Sequence, residues 1–355
     1  MTYKADCLFF RGDIPCKPNK LYSAECINCQ YYKKSEGKIL IIKLGAIGDV
    51  IRTTPLLHRL AKDYPNYEIW WLSYTPDVLP SSIDKILQFN LENILWLKEV
   101  HFDWLINLDK DPQACTLASI ISADRKSGFI LINGKPAPVD KLAEHKFYTG
   151  IFDNYSKNNT KSYLEEIFEI LGWQFQGEEY ILELDNNYLF EIPNNGAKII
   201  GLNTGCGARW SSRLWAEDKW IELIRLLQNN GYFPLLLGGE AENERNLSLQ
   251  KQTGALYLGY FPLQKFISLL SNIDVLITGV TMALHLGIGL KKKIVLLNNI
   301  FNPNEFELYG RGVIVQPERE CKCYYQPKCI NPDYFCMDYI YPNSVFIEME
   351  KLLNS

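Results

Sequence analysis

Several features are missing from this sequence, and each absence excludes something. No run of about 18 apolar residues occurs, so no membrane-spanning helix is expected. The N-terminal stretch MTYKADCLFFRGDIPCK has neither an uninterrupted apolar region nor a small-residue cleavage site, so it does not read as a secretory signal. A basic surplus is absent: 37 Lys and Arg stand against 41 Asp and Glu, for a net charge of −4. A generic nucleic-acid-coating surface needs a basic face and is therefore not expected. Low-complexity tracts and solenoid repeats are also absent. Histidine is scarce, with four in the whole chain. The expected compartment is the cytoplasm, with any membrane contact peripheral.

What is present is ample core material. Hydrophobic residues make up 47% and aromatics 13% of 355 residues, enough for two domains. Ten cysteines are also present. In a reducing cytosol such clusters point to metal or catalysis rather than to disulfides.

The chain carries a loose internal echo. GKILIIKLGAIGDVIRTTPLLHRLAKDYP begins at Gly37, and NGAKIIGLNTGCGARWSSRLWAEDKWIELIRLL begins at Asn195. Each is a strand-length apolar run, a Gly-containing loop and a helical pattern. Val50, Ile51, Leu56, Leu57 and Leu60 mark one apolar helix face; Trp220, Ile221, Leu223, Ile224 and Leu227 mark the other. Further strand-like runs are EIWWLSY, DWLINL, YFPLLLGG, DVLITG and KIVLLNN, with helical patterns between them. Such alternation reads as parallel sheets covered on both faces, here two Rossmann-like domains. The stretch LDNNYLFEIPNNG, from Leu184 to Gly196, has linker composition. The expected organisation is a Cys-rich extension over 1–36, a first Rossmann-like domain over 37–190 and a second over 191–355 that ends in a Cys-rich segment over 320–337. The region from Ile132 to Lys161 is polar and weakly patterned, and reads as a long loop or a covering segment.

Three post-strand loops could carry chemistry. Leu44 to Val50 (LGAIGDV) is neither a GxGxxG fingerprint nor a P-loop, since its glycines are three apart and no GK[ST] follows. Asp49 at the helix start is either an N-cap or a general base at the carboxyl edge of a sheet. The second loop, Asn203 to Trp210 followed by Ser211, Ser212 and Arg213, offers Thr204, Gly205, Arg209 and Arg213, the equipment for holding a diphosphate. A solvated turn with helix-capping serines is the other reading. The third runs from Thr278 through Gly279, Val280 and Thr281 to His285. Thr281 could cap the next helix or donate to a phosphate, and His285 could be a packing residue. Glu240, after Gly238 and Gly239, could accept from a ribose or be a surface carboxylate.

Taken together, KILIIKLGAIGDVIRTTPLL, NTGCGARWSSRLW and TGVTMALHLGIGLKKKIVLLNN resemble glycosyltransferase family 9, the ADP-heptose:lipopolysaccharide heptosyltransferases. The resemblance spans roughly Lys38 to Ser355, and LGAIGDVIRTTP is its most specific piece. It implies a GT-B fold, two Rossmann-like domains facing across a cleft, and inverting sugar transfer without a catalytic metal. By the same resemblance Asp49 matches the catalytic base. Thr204, Gly205 and Arg213 match the donor diphosphate segment, where the family usually has Lys at the last position. Thr278 to His285 match the second donor loop. Family members commonly carry Asp where this chain has Val280, which puts the identity of the donor in question. Lys43, Arg52 and Asp109 are positional candidates for the acceptor side.

Cys7, Cys16, Cys26 and Cys29 read C-x8-C-x9-C-x2-C, while Cys321, Cys323, Cys329 and Cys336 read C-x-C-x5-C-x6-C. Four thiolates suit a closed tetrahedral Zn²⁺ site, or iron. Either cluster could hold a structural metal, and a site sharing ligands from both is open. Reduced thiols packing as small hydrophobes are the alternative. The expected function is transfer of a sugar, plausibly heptose, from an ADP-heptose-like nucleotide sugar to a glycan or glycolipid hydroxyl. Protein O-heptosylation and a non-catalytic sugar-nucleotide-binding subunit are the competing readings.

Overall fold

The computed structural model describes residues 2–185, 187–207 and 210–354. The chain forms two compact units: Met1–Gly45 with Thr54–Phe147 and Ile167–Gln174, and Ala46–Thr53 with Tyr148–Glu166 and Phe175–Ser355.

The first unit is built on strands β1 (Gly37–Ile42), β2 (Tyr67–Ser73), β3 (Lys85–Gln88), β4 (Phe102–Asn107), β5 (Ala123–Ile132) and β6 (Lys135–Pro138), in the order β3-β2-β1-β4-β5-β6. All neighbours are parallel except the β5–β6 pair. Ile39 faces Ile69 on one side and Trp104 on the other. Central parallel strands are covered on both faces, so they read as continuous apolar runs. That is why Ile39 to Ile42 are all buried.

The second unit holds β7 (Ile199–Asn203), β8 (Phe233–Leu237), β9 (Leu256–Tyr257), β10 (Val275–Gly279), β11 (Lys293–Leu297) and β12 (Gly312–Val315). Its order is β12-β11-β10-β7-β8-β9, parallel throughout. Counted from its own first strand this is 3-2-1-4-5-6, the Rossmann order, whose switch point lies between β7 and β10. One device recurs in both sheets. Asp103, at the start of β4, accepts from the Lys38 amide of β1 at 2.7 Å; Asp274, just before β10, accepts from the Ile199 amide of β7 at 2.8 Å. The internal echo is therefore structural as well as sequential.

Two readings of the sequence are corrected here. The apolar face from Val50 to Leu60 belongs to two helices, Ile47–Ile51 and Leu56–Asp63. Pro55 sits at the N-cap of the second, where its missing N–H costs least. The segment from Ile132 to Lys161 is not a loop. It contains β6 and the short helices Glu144–Thr149 and Asp153–Lys157. Its polar composition reflects half-exposed elements rather than missing ones.

In the second unit, Trp215 and Trp220 meet edge to face at 4.8 Å within a cluster that includes Leu223, Ile224 and Leu227. Leu223 on the helix Glu217–Asn229 is fully buried, whereas Leu189 is 90% exposed. Leu223→Ala should cost about 2–5 kcal/mol of stability. Leu189→Ala should stay within about 0.5 kcal/mol. Denaturant midpoints of the two variants check this difference.

Candidate active site

The carboxyl ends of β7 and β10 release two loops at the switch point of the second sheet. Asn203, the last residue of β7, ties them together. Its amide donates to the Thr278 hydroxyl at 3.1 Å, the Thr281 hydroxyl at 3.2 Å and the Gly205 carbonyl at 3.4 Å. A cavity of about 760 Å³ opens beside them. Asp49, Arg52, Gly205, Arg213, Thr281 and His285 all line it, as do Glu240 and Val280.

The helix Ile47–Ile51 brings Asp49 to this cavity. Its N-cap is Ala46, and Asp49 lies in the first turn, so the capping reading of Asp49 is corrected. A Cβ built on Gly48 would lie 2.5 Å from the His285 ring. Only glycine lets this turn lie against the helix Met282–Gly289. The Asp49 carboxylate is 2.8 Å from Arg52, and the same guanidinium reaches Glu305 at 2.7 Å. Arg52 also stacks 3.4 Å from the Tyr163 ring centroid. Burial alone would lower the Arg52 pKa, but Asp49 and Glu305 more than offset it, so the net direction is upward. Asp49 shares its cation with a second carboxylate, which leaves the cluster net negative.

His285 is buried beneath that cluster, with Nδ1 3.4 Å from the Tyr180 hydroxyl. Burial, followed by the nearby Arg52 charge, pushes its pKa down to about 3. It is a neutral ring at physiological pH.

The donor-loop candidates divide. Gly205 lies against Glu242: a Cβ there would meet its carboxylate at 2.1 Å. Thr204 is buried, and its hydroxyl donates to Asn246 Oδ1 at 2.6 Å rather than opening into the cavity. Thr278 and Gly279 do not line the cavity either. Thr281 stands at the N-cap of Met282–Gly289 but makes no capping bond; its hydroxyl belongs to the Asn203 network. Arg213 spans the two loops, donating to the Cys206 carbonyl at 3.1 Å and to the Val280 carbonyl. Burial lowers its pKa to about 10, still far above neutrality. Ser211 and Ser212 do not cap a helix. Their hydroxyls donate to the Pro327 and Gln326 carbonyls, and the next helix begins at Glu217. Arg209 lies outside the described residues.

Lys43 and Asp109 belong to the first unit. There they form a buried ion pair, and Asp109 also accepts from the Leu44 amide and, at 3.0 Å, from the Gly45 amide. Their polar groups are used to hold the turn after β1.

Of the cysteines, Cys321 and Cys336 sulfurs lie 3.2 Å apart, and Cys323 and Cys329 sulfurs 3.6 Å apart. Amide N–H groups of Cys323 and Ile330 point at the sulfurs of Cys321 and Cys323. Cys7, Cys16, Cys26 and Cys29 are half-buried, and every described cysteine is a free thiol. No group of three or more His, Cys, Asp or Glu side chains among the described residues is arranged as a ready metal site.

Reading the sequence missed Glu305, Glu242, Asn246 and Tyr180. Glu305 had a signal: it is the only charged residue between β11 and Phe306, in a loop leaving the carboxyl edge of the sheet. Glu240 drew attention, yet it is Glu242 that accepts from the Gly239 amide at 2.9 Å. Asn246 and Tyr180 gave none, because their roles depend on packing.

Residues 96–334 match the family model of glycosyltransferase family 9 (heptosyltransferase). The chain belongs to that family. The matched region begins after LGAIGDVIRTTP, so membership rests on the remainder of the chain. Among proteins with curated descriptions, none matches this sequence. Among solved structures, the chain is similar to a glycosyl transferase family 9 protein from Veillonella parvula DSM 2008, at 20% identity and TM-score 0.69, covering 90% of this chain and 98% of that one. It is similar to the E. coli heptosyltransferase WaaC with ADP, at 15% identity and TM-score 0.60, covering 89% and 98%. It also resembles TibC, a bacterial iron-containing dodecameric glycosyltransferase from enterotoxigenic E. coli H10407, at 16% identity and TM-score 0.56, covering 91% and 77%. These likenesses establish the shared fold, two Rossmann-like α/β domains of GT-B type. No helix among the described residues is long and apolar enough to cross a membrane.

One consequence concerns acid. Between about pH 6.5 and 3 the unfolded chain protonates His285 and the folded chain does not, so folding weakens as pH falls through that window. His285→Gln removes this linkage. The melting temperature of wild type relative to His285→Gln should therefore drop between about pH 7.5 and pH 4.5. Parallel curves for the two proteins would show that His285 titrates normally.

Proposed function

We propose that this chain transfers a sugar from a nucleoside-diphosphate sugar, ADP-heptose-like, to an acceptor hydroxyl with inversion, and that Asp49 is the base. The observation that supports this most is the placement of Asp49 and the two switch-point loops on a single 760 Å³ cavity. A cavity of that size accommodates a nucleotide sugar.

The chemistry follows from the groups present. Paired with Arg52 at 2.8 Å, the Asp49 carboxylate borders the cavity and is the group assigned to accept a proton from the attacking hydroxyl. Glu305 engages the same guanidinium at 2.7 Å. The leaving diphosphate gains negative charge. The N-terminus of Met282–Gly289, the Thr281 hydroxyl and the Arg213 charge are the groups positioned to favour it. Phe261 and Phe266 line the cavity and offer apolar faces for a base. Val280 supplies no carboxylate, but Glu240 and Glu242 line the same cavity and could contact sugar or ribose hydroxyls. One displacement at the anomeric carbon then breaks the bond to the diphosphate as the acceptor oxygen forms its own.

The acceptor is read as a glycan or glycolipid hydroxyl; protein O-heptosylation is the second reading. In either case the C-terminal thiols are suited to a structural metal. Cys321, Cys323, Cys329 and Cys336, whose sulfurs approach one another in two pairs, would be its ligands for Zn²⁺ or Fe²⁺. Such an ion would brace the loop that carries Tyr325 into the cavity.

Asp49→Asn should retain nucleotide binding and lose transfer by roughly 10²–10⁴-fold. ADP at about 100 times its dissociation constant should add about 2.7 kcal/mol of stability to wild type and variant alike. Glu305→Gln removes one of the two carboxylates on Arg52 and should lower the transfer rate, read as kcat in steady-state assays, by less than Asp49→Asn does. Wild-type transfer rates in Asp49→Asn would remove it as base. No stabilisation by ADP, GDP, UDP or CDP would support the non-catalytic reading.

A further inference from the structure

The first 36 residues are hard to account for as a folded segment. Among the described ones only Pro18 is fully buried, while Tyr3, Ile14, Leu21, Tyr22 and Ile27 are all more than half exposed. Regular structure amounts to the six-residue helix Lys17–Tyr22, a 3₁₀ turn at Cys26–Asn28 and one isolated bridge between Cys7 and Lys34. Ordering a residue costs about 1–2 kcal/mol of backbone entropy, and apolar burial this small does not offset that over such a length. Small segments without a core are ordinarily held by disulfides or by a metal. Here all four cysteines are free thiols.

Those four thiols converge. Cys7, Cys16, Cys26 and Cys29 line one cavity of about 20 Å³, together with Lys4 and Pro18. The turn at Cys26–Asn28 explains part of this. Cys29 follows directly as the extended C-cap of that turn. Cys7 is brought back by its bridge to Lys34 and by the Leu8 amide donating to the Lys33 carbonyl at 2.8 Å. The Lys4 ammonium, 4.1 Å over the Tyr32 ring centroid, lines the same cavity and would offset the excess charge of four thiolates on a divalent ion.

We infer that Cys7, Cys16, Cys26 and Cys29 form a tetrathiolate site for one thiophilic divalent cation, which supplies the folding energy of the N-terminal segment. Each thiol would lose its proton on binding. The site is structural and closed, with no position left for substrate. It does not depend on the functional reading above.

The test uses the full chain, purified under reducing conditions without a histidine tag. Metal content per chain is measured by plasma mass spectrometry for wild type and for Cys26→Ser/Cys29→Ser. The variant should contain one equivalent of metal less than wild type, whatever the C-terminal cysteines hold. Hydrogen exchange supplies the second readout and needs no variant. Treating wild type with a strong chelator should abolish amide protection over residues 2–36, and adding back Zn²⁺ should restore it. Equal metal content in the two proteins would overturn the inference. So would protection of residues 2–36 that chelation leaves unchanged, or an intact mass showing disulfides among these four cysteines.

Discussion

Arg52 is the interaction on which the arrangement of the cavity depends. Its side chain is only 12% exposed, and a guanidinium that deeply buried must be paired, since an uncompensated buried charge costs several kcal/mol. Two carboxylates meet this demand, one near in sequence and one far: Asp49 three residues earlier, and Glu305 beyond β11. The Tyr163 ring covers the remaining face. Asp49 is therefore fixed in place by the need to neutralise Arg52. Glu305 in turn is reached by the Tyr325 hydroxyl at 3.4 Å, from a loop whose next residue, Gln326, bonds back to Cys323. Support for Asp49 thus extends stepwise into the C-terminal cysteine segment.

The topology supplies the second constraint. At a switch point, successive connections leave in opposite directions and open a crevice at the carboxyl edge of the sheet. Asn203 occupies that point and spends its amide on holding the loops after β7 and β10 in register. Arg213 repeats the function one layer further out through backbone carbonyls, and Glu242 fills the space that Gly205 leaves. The loops are thus braced by protein groups. Within a cavity whose lining carries more carboxylates than cations, Arg213 stands beside Val280 and Thr281, close to the N-terminus of Met282–Gly289.

The legible parts of the sequence were those governed by local rules. Continuous apolar runs gave β1, β2, β4, β7, β8, β10 and β11 because central parallel strands need nothing else. The strand β5 escaped notice because its first half, ADRK, is polar and largely exposed; it is defined by pairing with β4, not by its own composition. Glycine-bearing loops after strands pointed to the cavity, but not to which side chains enter it. Thr204 matches the motif and yet turns to Asn246, whose presence in the helix Asn243–Thr253 no spacing rule connects to a loop some 40 residues earlier. Ser211 and Ser212 look like caps and instead hold the backbone at Gln326 and Pro327. Each failure is a case where a polar group found a partner far along the chain.

The two cysteine clusters illustrate the same distinction from the other side. The C-terminal four lie in a segment with its own anchors: Cys323 and Cys336 are fully buried, Asn299 donates to both the Ser212 carbonyl and the Cys336 sulfur, and Trp215 bonds the Ile340 carbonyl. That segment has buried anchors of its own, so a metal there would add to packing already present. The N-terminal four have no such support, since the residues around them bury almost nothing. If the same chemistry occupies both, its energetic weight differs: marginal where the hydrophobic effect already suffices, and decisive where it does not. Cysteine spacing alone could not draw that distinction, because it records how many ligands are available but not how much of the fold depends on them.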